Sequence, residues 1–197
     1  MSRMIWKLKV WKSKLIRLAL RSVFHFDRWH VFTLTERTYA IDIIHYCNKK
    51  PVRNHFVEIG CGLGDIIRNV QFRSRKGMDN DEKVLKAAIF INRVSFDRKI
   101  DFQVFQFPES ELNGKFDVIV MVNWIHHIES GLLRKKIAEY FNQHLNKEGS
   151  IIIDTVQDKS YRHNHDIHFL TTGLDGQVEH IGNYERERDI WAINKKI

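Results

Sequence analysis

One stretch limits this chain more than any other: His55 to Asp65, which reads His-Phe-Val-Glu-Ile-Gly-Cys-Gly-Leu-Gly-Asp. Its apolar run, Phe56 to Ile59, is too short for a helix and enters three glycines at alternate positions, Gly60, Gly62 and Gly64, after which a helical pattern starts. The run predicts a strand, a tight turn and a helix start. Glycine accepts positive φ and has no Cβ, so the backbone can turn sharply and lie against a ligand, while an opening helix carries unpaired N–H groups. A small polar cofactor is the expected occupant.

Strands and helices alternate around this turn. Thr33-Leu34-Thr35-Glu36 fits a capping box, starting a helix that carries Tyr39, Ile43, His45 and Tyr46 and is stopped by Pro51. The first strand follows, then a helix over 65–72 with Ile66, Ile67 and Val70 inward, a strand over 75–79 and a helix over 81–94. Strands are predicted over 100–105, over the nearly continuous apolar run 116–122, and over 150–154, with a helix over 132–146 before the last of these. Residues 177–184 and 188–194 read as two strands around a charged turn, Glu185 to Arg188. The expected fold is α/β: a doubly wound, mostly parallel seven-stranded sheet with an antiparallel C-terminal strand pair, binding ligands beyond the carboxyl ends of its strands. At 197 residues, 43% of them hydrophobic, one core is expected. We read residues 33–197 as a single domain and 1–32 as a basic helix with its connector.

The charge is unevenly placed. Residues 1–30 hold eight Lys and Arg against Asp27 alone, a surplus of seven out of a formal net charge of +8, so the remainder is nearly neutral. Met4, Leu8, Trp11, Leu15 and Leu18 follow the spacing of one helix face over 3–24, and Arg3, Lys7, Lys14, Arg17 and Arg21 fall largely opposite. Such a helix can lie on anionic lipid, pack on the body with a solvated lysine face, or touch RNA phosphates. No stretch approaches the roughly 18–20 apolar residues of a membrane span, and no signal-peptide core is apparent. Cys47 and Cys61 allow at most one disulfide, and Cys61 in the glycine turn disfavours it, so a reducing, cytoplasmic setting is expected.

A glycine turn after a first strand is shared by nicotinamide and flavin proteins. Here it reads G-x-G-x-G after Glu58, the next strand ends Gly77-Met78-Asp79, and Phe116-Asp117 opens the fourth strand while Asn123-Trp124-Ile125-His126-His127 closes it. Over 36–158 this set resembles the class I S-adenosylmethionine-dependent methyltransferases. The resemblance implies a Rossmann-like methyltransferase fold and S-adenosyl-L-methionine as cofactor. It implies that Glu58 and the turn Gly60, Cys61, Gly62 and Gly64 border the methionine and ribose portions, and that Asp79 takes the ribose hydroxyls with Met78 and Asn80 beside the adenine. Gln106 stands where the family usually has an acid for the adenine amine, a departure from the pattern. Asn123 would lie near the sulfonium, and Arg37 or Tyr39 would close over the cofactor's carboxylate.

For the acceptor, His126 and His127 stand where a catalytic base would, with Asn123 beside them; alternatively they only start the following helix. His30 and Trp124 are candidate substrate contacts, as are His163, His165 and His168 in the loop after the fifth strand, which reads equally as a solvated polar loop. That loop fits no known metal motif and no metal site is assigned. The Asn-Pro-Pro-Tyr and Asp-Pro-Pro-Tyr motifs of base- and glutamine-modifying members are missing. Small members that resemble this chain in a basic N-terminal helix and a Trp-His pair point to surface-polysaccharide biosynthesis. O-methylation of a small-molecule, sugar or lipid-linked glycan acceptor is therefore expected, with residues 1–24 on an anionic membrane. RNA methylation through the basic arm, a non-catalytic cofactor-binding subunit and a nicotinamide oxidoreductase are the alternatives. Oligomeric state is open.

Overall fold

The structure is a computed structural model that describes residues 3–94 and 100–196, with side chains described from Ser13 onward. Its frame is a seven-stranded sheet of order β3-β2-β1-β4-β5-β7-β6. The strands are β1 (His55–Ile59), β2 (Ser74–Asp79), β3 (Ile100–Val104), β4 (Phe116–Met121), β5 (Leu145–Val156), β6 (Gly176–Tyr184) and β7 (Arg188–Lys195). β1 to β5 run parallel, and β7 pairs antiparallel with both β5 and β6. The sheet and its antiparallel ending match the expectation.

The period-two alternation of β1 and β4 places apolar residues on both faces. Val57, Ile59, Ile119 and Met121 join the core formed with α4 (Ser130–Glu139) and α5 (Ile167–Thr171). Phe56, Val118 and Val120 face Tyr39, Ala40, Ile43 and Ile44 of α2 (Thr38–Asn48). Asp117, the polar residue within β4, is buried and accepts from Asn54 N, His55 N and Asn146 Nδ2 at 2.7–2.9 Å, tying the amino ends of β1 and β5 together.

Several helical elements differ from the sequence reading. The capping box forms, with Thr33 N donating to Glu36 at 2.8 Å, but it opens a single turn over Leu34–Glu36, and α2 starts afresh at Thr38. The segment predicted as a helix over 65–72 is a succession of turns, because Glu58 takes the Ile67 N–H (3.0 Å) and Asp65 is drawn into ion pairs. Ile66, Ile67 and Val70 are nevertheless buried as expected. The helix predicted over 132–146 starts at Ser130, where the Glu129 side chain accepts from Gly131 N and Leu132 N, and widens over Tyr140–His144. Lys195 Nζ holds that wider turn by donating to Phe141 O at 2.7 Å. A short α5, unforeseen, is capped by Asp166 on Phe169 N.

α1 (Arg3–Phe24) packs on α3 (Glu82–Val94), where Leu20 joins Val84, Ala87, Leu63 and Val31. It presents to the body the face that had been read as polar. Arg17 and Leu20 are buried, whereas Leu15 and Leu18 of the expected apolar face are exposed. The side chains of Arg3, Met4, Lys7, Leu8 and Trp11 lie outside the described residues. Truncating Leu20 to Ala therefore costs about 2–4 kcal/mol in urea unfolding, while Leu18→Ala stays within about 0.5 kcal/mol.

Candidate active site

The glycine turn caps the carboxyl end of β1. Gly60, Gly62 and Gly64 sit at φ of +78°, +52° and +78°, and Gly60 N and Cys61 N donate to Met78 O at 2.7 and 2.9 Å, locking the turn to β2. Asp79 closes it from below: Oδ2 accepts from Gly62 N at 2.8 Å and Oδ1 from Asp81 N at 3.1 Å. Side chains already fill the space that missing Cβ atoms leave. A Cβ on Gly60 would lie 2.3 Å from the Trp124 indole, and one on Gly62 would lie 2.8 Å from His30 Nδ1.

The turn is held from outside by Asp65. Arg17 donates to both its oxygens, at 2.6 and 3.1 Å; Arg68 adds a bond at 3.2 Å, and Arg37 pairs with Oδ2. Arg17 also donates to Phe32 O (3.0 Å), and Arg68 to Leu63 O. Burial alone would push the Asp65 carboxyl up; the Arg17 hydrogen bond and the charges of Arg37, Arg17 and Arg68 outweigh it and hold it below the ordinary value. Arg37, expected on the cofactor, is thus turned toward Asp65, and Tyr39 lies buried under the Arg188 guanidinium at 5.3 Å.

At the ends of β4 and β5 a second network begins. Asn123, at φ of +72°, donates its N–H to Asp154 Oδ1 at 2.9 Å; buried Asp154 is paired with Arg188, which donates to the Tyr161 hydroxyl at 3.2 Å. Trp124 Nε1 donates to Ile59 O at 2.7 Å, and the indole meets Phe107 edge-on at 5.0 Å. His126 is buried 4.1 Å from the Tyr161 ring with its Nδ1 unpartnered, and burial pushes its pKa down to about 3. His127 is exposed beside it.

The remaining predicted residues divide. Asn80 and Gln106 are exposed neighbours, Gln106 Nε2 donating to Asn80 O at 3.4 Å, and Met78 and Cys61 are buried under the turn. His165 has both ring nitrogens engaged, with Ser130 Oγ (2.9 Å) and Ile125 O (3.0 Å), and is 1% exposed, so it positions the Ile125–His127 turn and is closed to a substrate. His163 stacks on it at 6.2 Å and His168 is exposed on α5. Among the described residues no three His, Cys, Asp or Glu side chains are grouped to hold a metal ion. Sequence reasoning missed Arg17, Asp65, Phe107, Asp154, Tyr161 and Arg188. Asp65 and Asp154 did carry a signal: Asp65 is an acid directly after the glycine turn, and Asp154 is one directly after the apolar run Ile151 to Ile153.

Glu58 is buried, and burial raises its pKa to about 8 despite the Ile67 N–H. A carboxyl that binds its proton more tightly when folded loses stability as pH rises through the window from 4.5 to about 8. Urea unfolding without cofactor should show that decline, on the order of a few kcal/mol, and Glu58→Gln should flatten it.

Residues 32–196 match the family model described as a methyltransferase domain. The comparison with curated proteins gives no match. Among solved structures, the N-methyltransferase NodS from Bradyrhizobium japonicum in complex with S-adenosylhomocysteine is similar at 14% identity and a TM-score of 0.70, over 90% of this chain and 97% of that one. Magnesium protoporphyrin IX methyltransferase (ChlM) from Synechocystis with bound S-adenosylhomocysteine gives 12% and 0.68, over 93% and 100%. An amino pentose methyltransferase from Micromonospora echinaspora, bound to S-adenosylmethionine, gives 10% and 0.63, over 84% and 98%. At such identities these structures share the fold. The family match, by contrast, runs from the connector before α2 to the last residues of β7, and the chain belongs to the methyltransferase-domain family of class I S-adenosylmethionine-dependent enzymes.

Proposed function

We propose that this enzyme methylates a hydroxyl of a small-molecule, sugar or lipid-linked glycan acceptor, with S-adenosylmethionine held on the glycine turn. The observation that carries the donor site is the positive-φ turn whose Gly62 N–H is bonded to Asp79. The cradle fits the donor: the turn is exposed at Gly60, where Trp124 lies against one side of the glycine, and Asn80 and Gln106 leave polar groups exposed beside Asp79. In this reading Asp79 receives the ribose hydroxyls, Asn80, Gln106 and Met78 border the adenine, and Glu58, Cys61, Arg37 and Tyr39 shape the turn from behind. When bound, the cofactor supplies an electrophilic sulfonium methyl.

Methyl transfer is an in-line displacement, so this chain's main task is to orient the acceptor. The side chains near the ends of β4 and β5 favour a neutral or anionic acceptor. The His126 ring, whose Nδ1 is unpartnered, lies 4.3 Å from the His127 ring and 4.1 Å from the Tyr161 ring, and the buried carboxylate of Asp154 is neutralised by Arg188. His126 is uncharged at neutral pH and a weak base there. It serves as a hydrogen-bond acceptor that aims the hydroxyl, losing the role of strong base expected from its position. Asn123, Trp124, His127 and His163 border the acceptor in this reading. The amino pentose methyltransferase is an example of this fold working on a sugar. A lipid-linked acceptor would be met at an anionic membrane surface through residues 1–24, with the body on the cytoplasmic side.

Calorimetry with S-adenosylhomocysteine tests the donor site. Asp79→Ala should weaken binding about 10- to 100-fold, the equivalent of losing charge-assisted hydrogen bonds; unchanged affinity would remove Asp79 from the site. With a methylatable sugar in hand, kcat should show no His inflection near the ordinary pH of about 6.5, and His126→Gln should lower it about 10- to 100-fold.

A further inference from the structure

The outward face of α1 is apolar and uncovered. Leu15 is 47% exposed, Ile16 59%, Leu18 43% and Val23 68%, while the same helix turns Arg17 and Leu20 inward. In sequence, Leu15 and Leu18 continue the four-and-three spacing of Met4, Leu8 and Trp11. An apolar helix stripe of this kind is left open for a partner.

Two occupants fit a four-and-three stripe: a second copy of the helix, as in a coiled coil, or the hydrocarbon edge of a membrane. Charge decides between them. Residues 3–24 contain seven Lys and Arg and no Asp or Glu. Lys7, Lys14 and Arg21, seven apart, all flank the stripe, with Lys12 on its other side. Two copies would bring like charges together at the flanking positions where coiled coils place Glu opposite Lys. Among the described flanking residues, Lys14 is paired with an acid, Glu36 at 2.5 Å. An anionic lipid surface satisfies the apolar stripe and both basic flanks at once. The adjoining turn adds aromatic anchors: Phe32 lies 5.9 Å from Lys14 Nζ, and the 67% exposed Trp29 stacks on it at 6.3 Å.

We infer that the Leu15–Leu18 face of α1, with Trp29 and Phe32, docks on an anionic lipid surface. Arg17 on the opposite face is bonded to Asp65 at the end of the glycine turn, so docking fixes the cofactor cradle close to the lipid headgroups. This deepens the proposal of a lipid-linked acceptor without depending on it.

The test is co-sedimentation of the full chain with vesicles of phosphatidylcholine, alone and mixed with phosphatidylglycerol, with neither cofactor nor acceptor present. The full chain should pellet with the mixed vesicles and not with phosphatidylcholine alone, and salt should weaken the binding. The double variant Leu15→Glu, Leu18→Glu should lose binding at least about tenfold with an unchanged melting temperature. Equal sedimentation of variant and wild type would overturn the inference, as would equal binding to both vesicles. A dimer in analytical ultracentrifugation that the same variant dissociates would overturn it in favour of a second copy. Because no acceptor is present, failure here is separable from failure of the O-methylation reading.

Discussion

Three guanidiniums on one buried carboxylate hold this molecule together around its glycine turn. Asp65 follows the last glycine directly, and its partners come from α1, from the residue before α2 and from the turn itself. Removing one partner from such a buried network strands the rest and costs about 3–5 kcal/mol. The surplus positive charge is absorbed by backbone carbonyls of Phe32 and Leu63, which fixes the connector and the turn in one arrangement. His30 reaches Gly62 because the connector is pinned there.

From that anchor a chain of contacts runs around the carboxyl ends of the strands. Arg37 precedes Tyr39, whose ring lies under Arg188; Arg188 is paired with Asp154, which receives the Asn123 N–H, and Trp124 leans on Gly60. Side chains locked by their neighbours are what orientation-dominated chemistry requires. The C-terminal strand pair does more than finish the sheet: Arg188 opens β7 and brings its charge to Asp154 and Tyr161. On the far side, α1 offers an apolar stripe that the body does not use.

The strands and the glycine turn were legible because their signals are local: period-two burial, short apolar runs, glycines at alternate positions. Asp79 and Asn123 were legible because they stand at strand ends. The facing of α1 was not, since an amphipathic pattern leaves lipid and the body equally open to its apolar side, and here a pair 48 residues apart, Arg17 with Asp65, turns the other side inward. No local pattern announces such a partner. The basicity of His126 was hidden for a similar reason, because it depends on burial against Tyr161 and Arg188 from distant segments. Trp124 read as a substrate contact, and its place on Gly60 follows from a hydrogen bond to Ile59 O that only the folded sheet creates.

The central claim is that the N-terminal helix is part of the cofactor site through Arg17, a residue assigned no contact with the cofactor. Calorimetric titration of the full-length Arg17→Gln variant with S-adenosylhomocysteine tests it most directly, with circular dichroism confirming that the sheet is retained. The account predicts an affinity at least about tenfold below wild type, since ordering a loosened turn draws on binding energy. A folded variant that binds as tightly as wild type would contradict it.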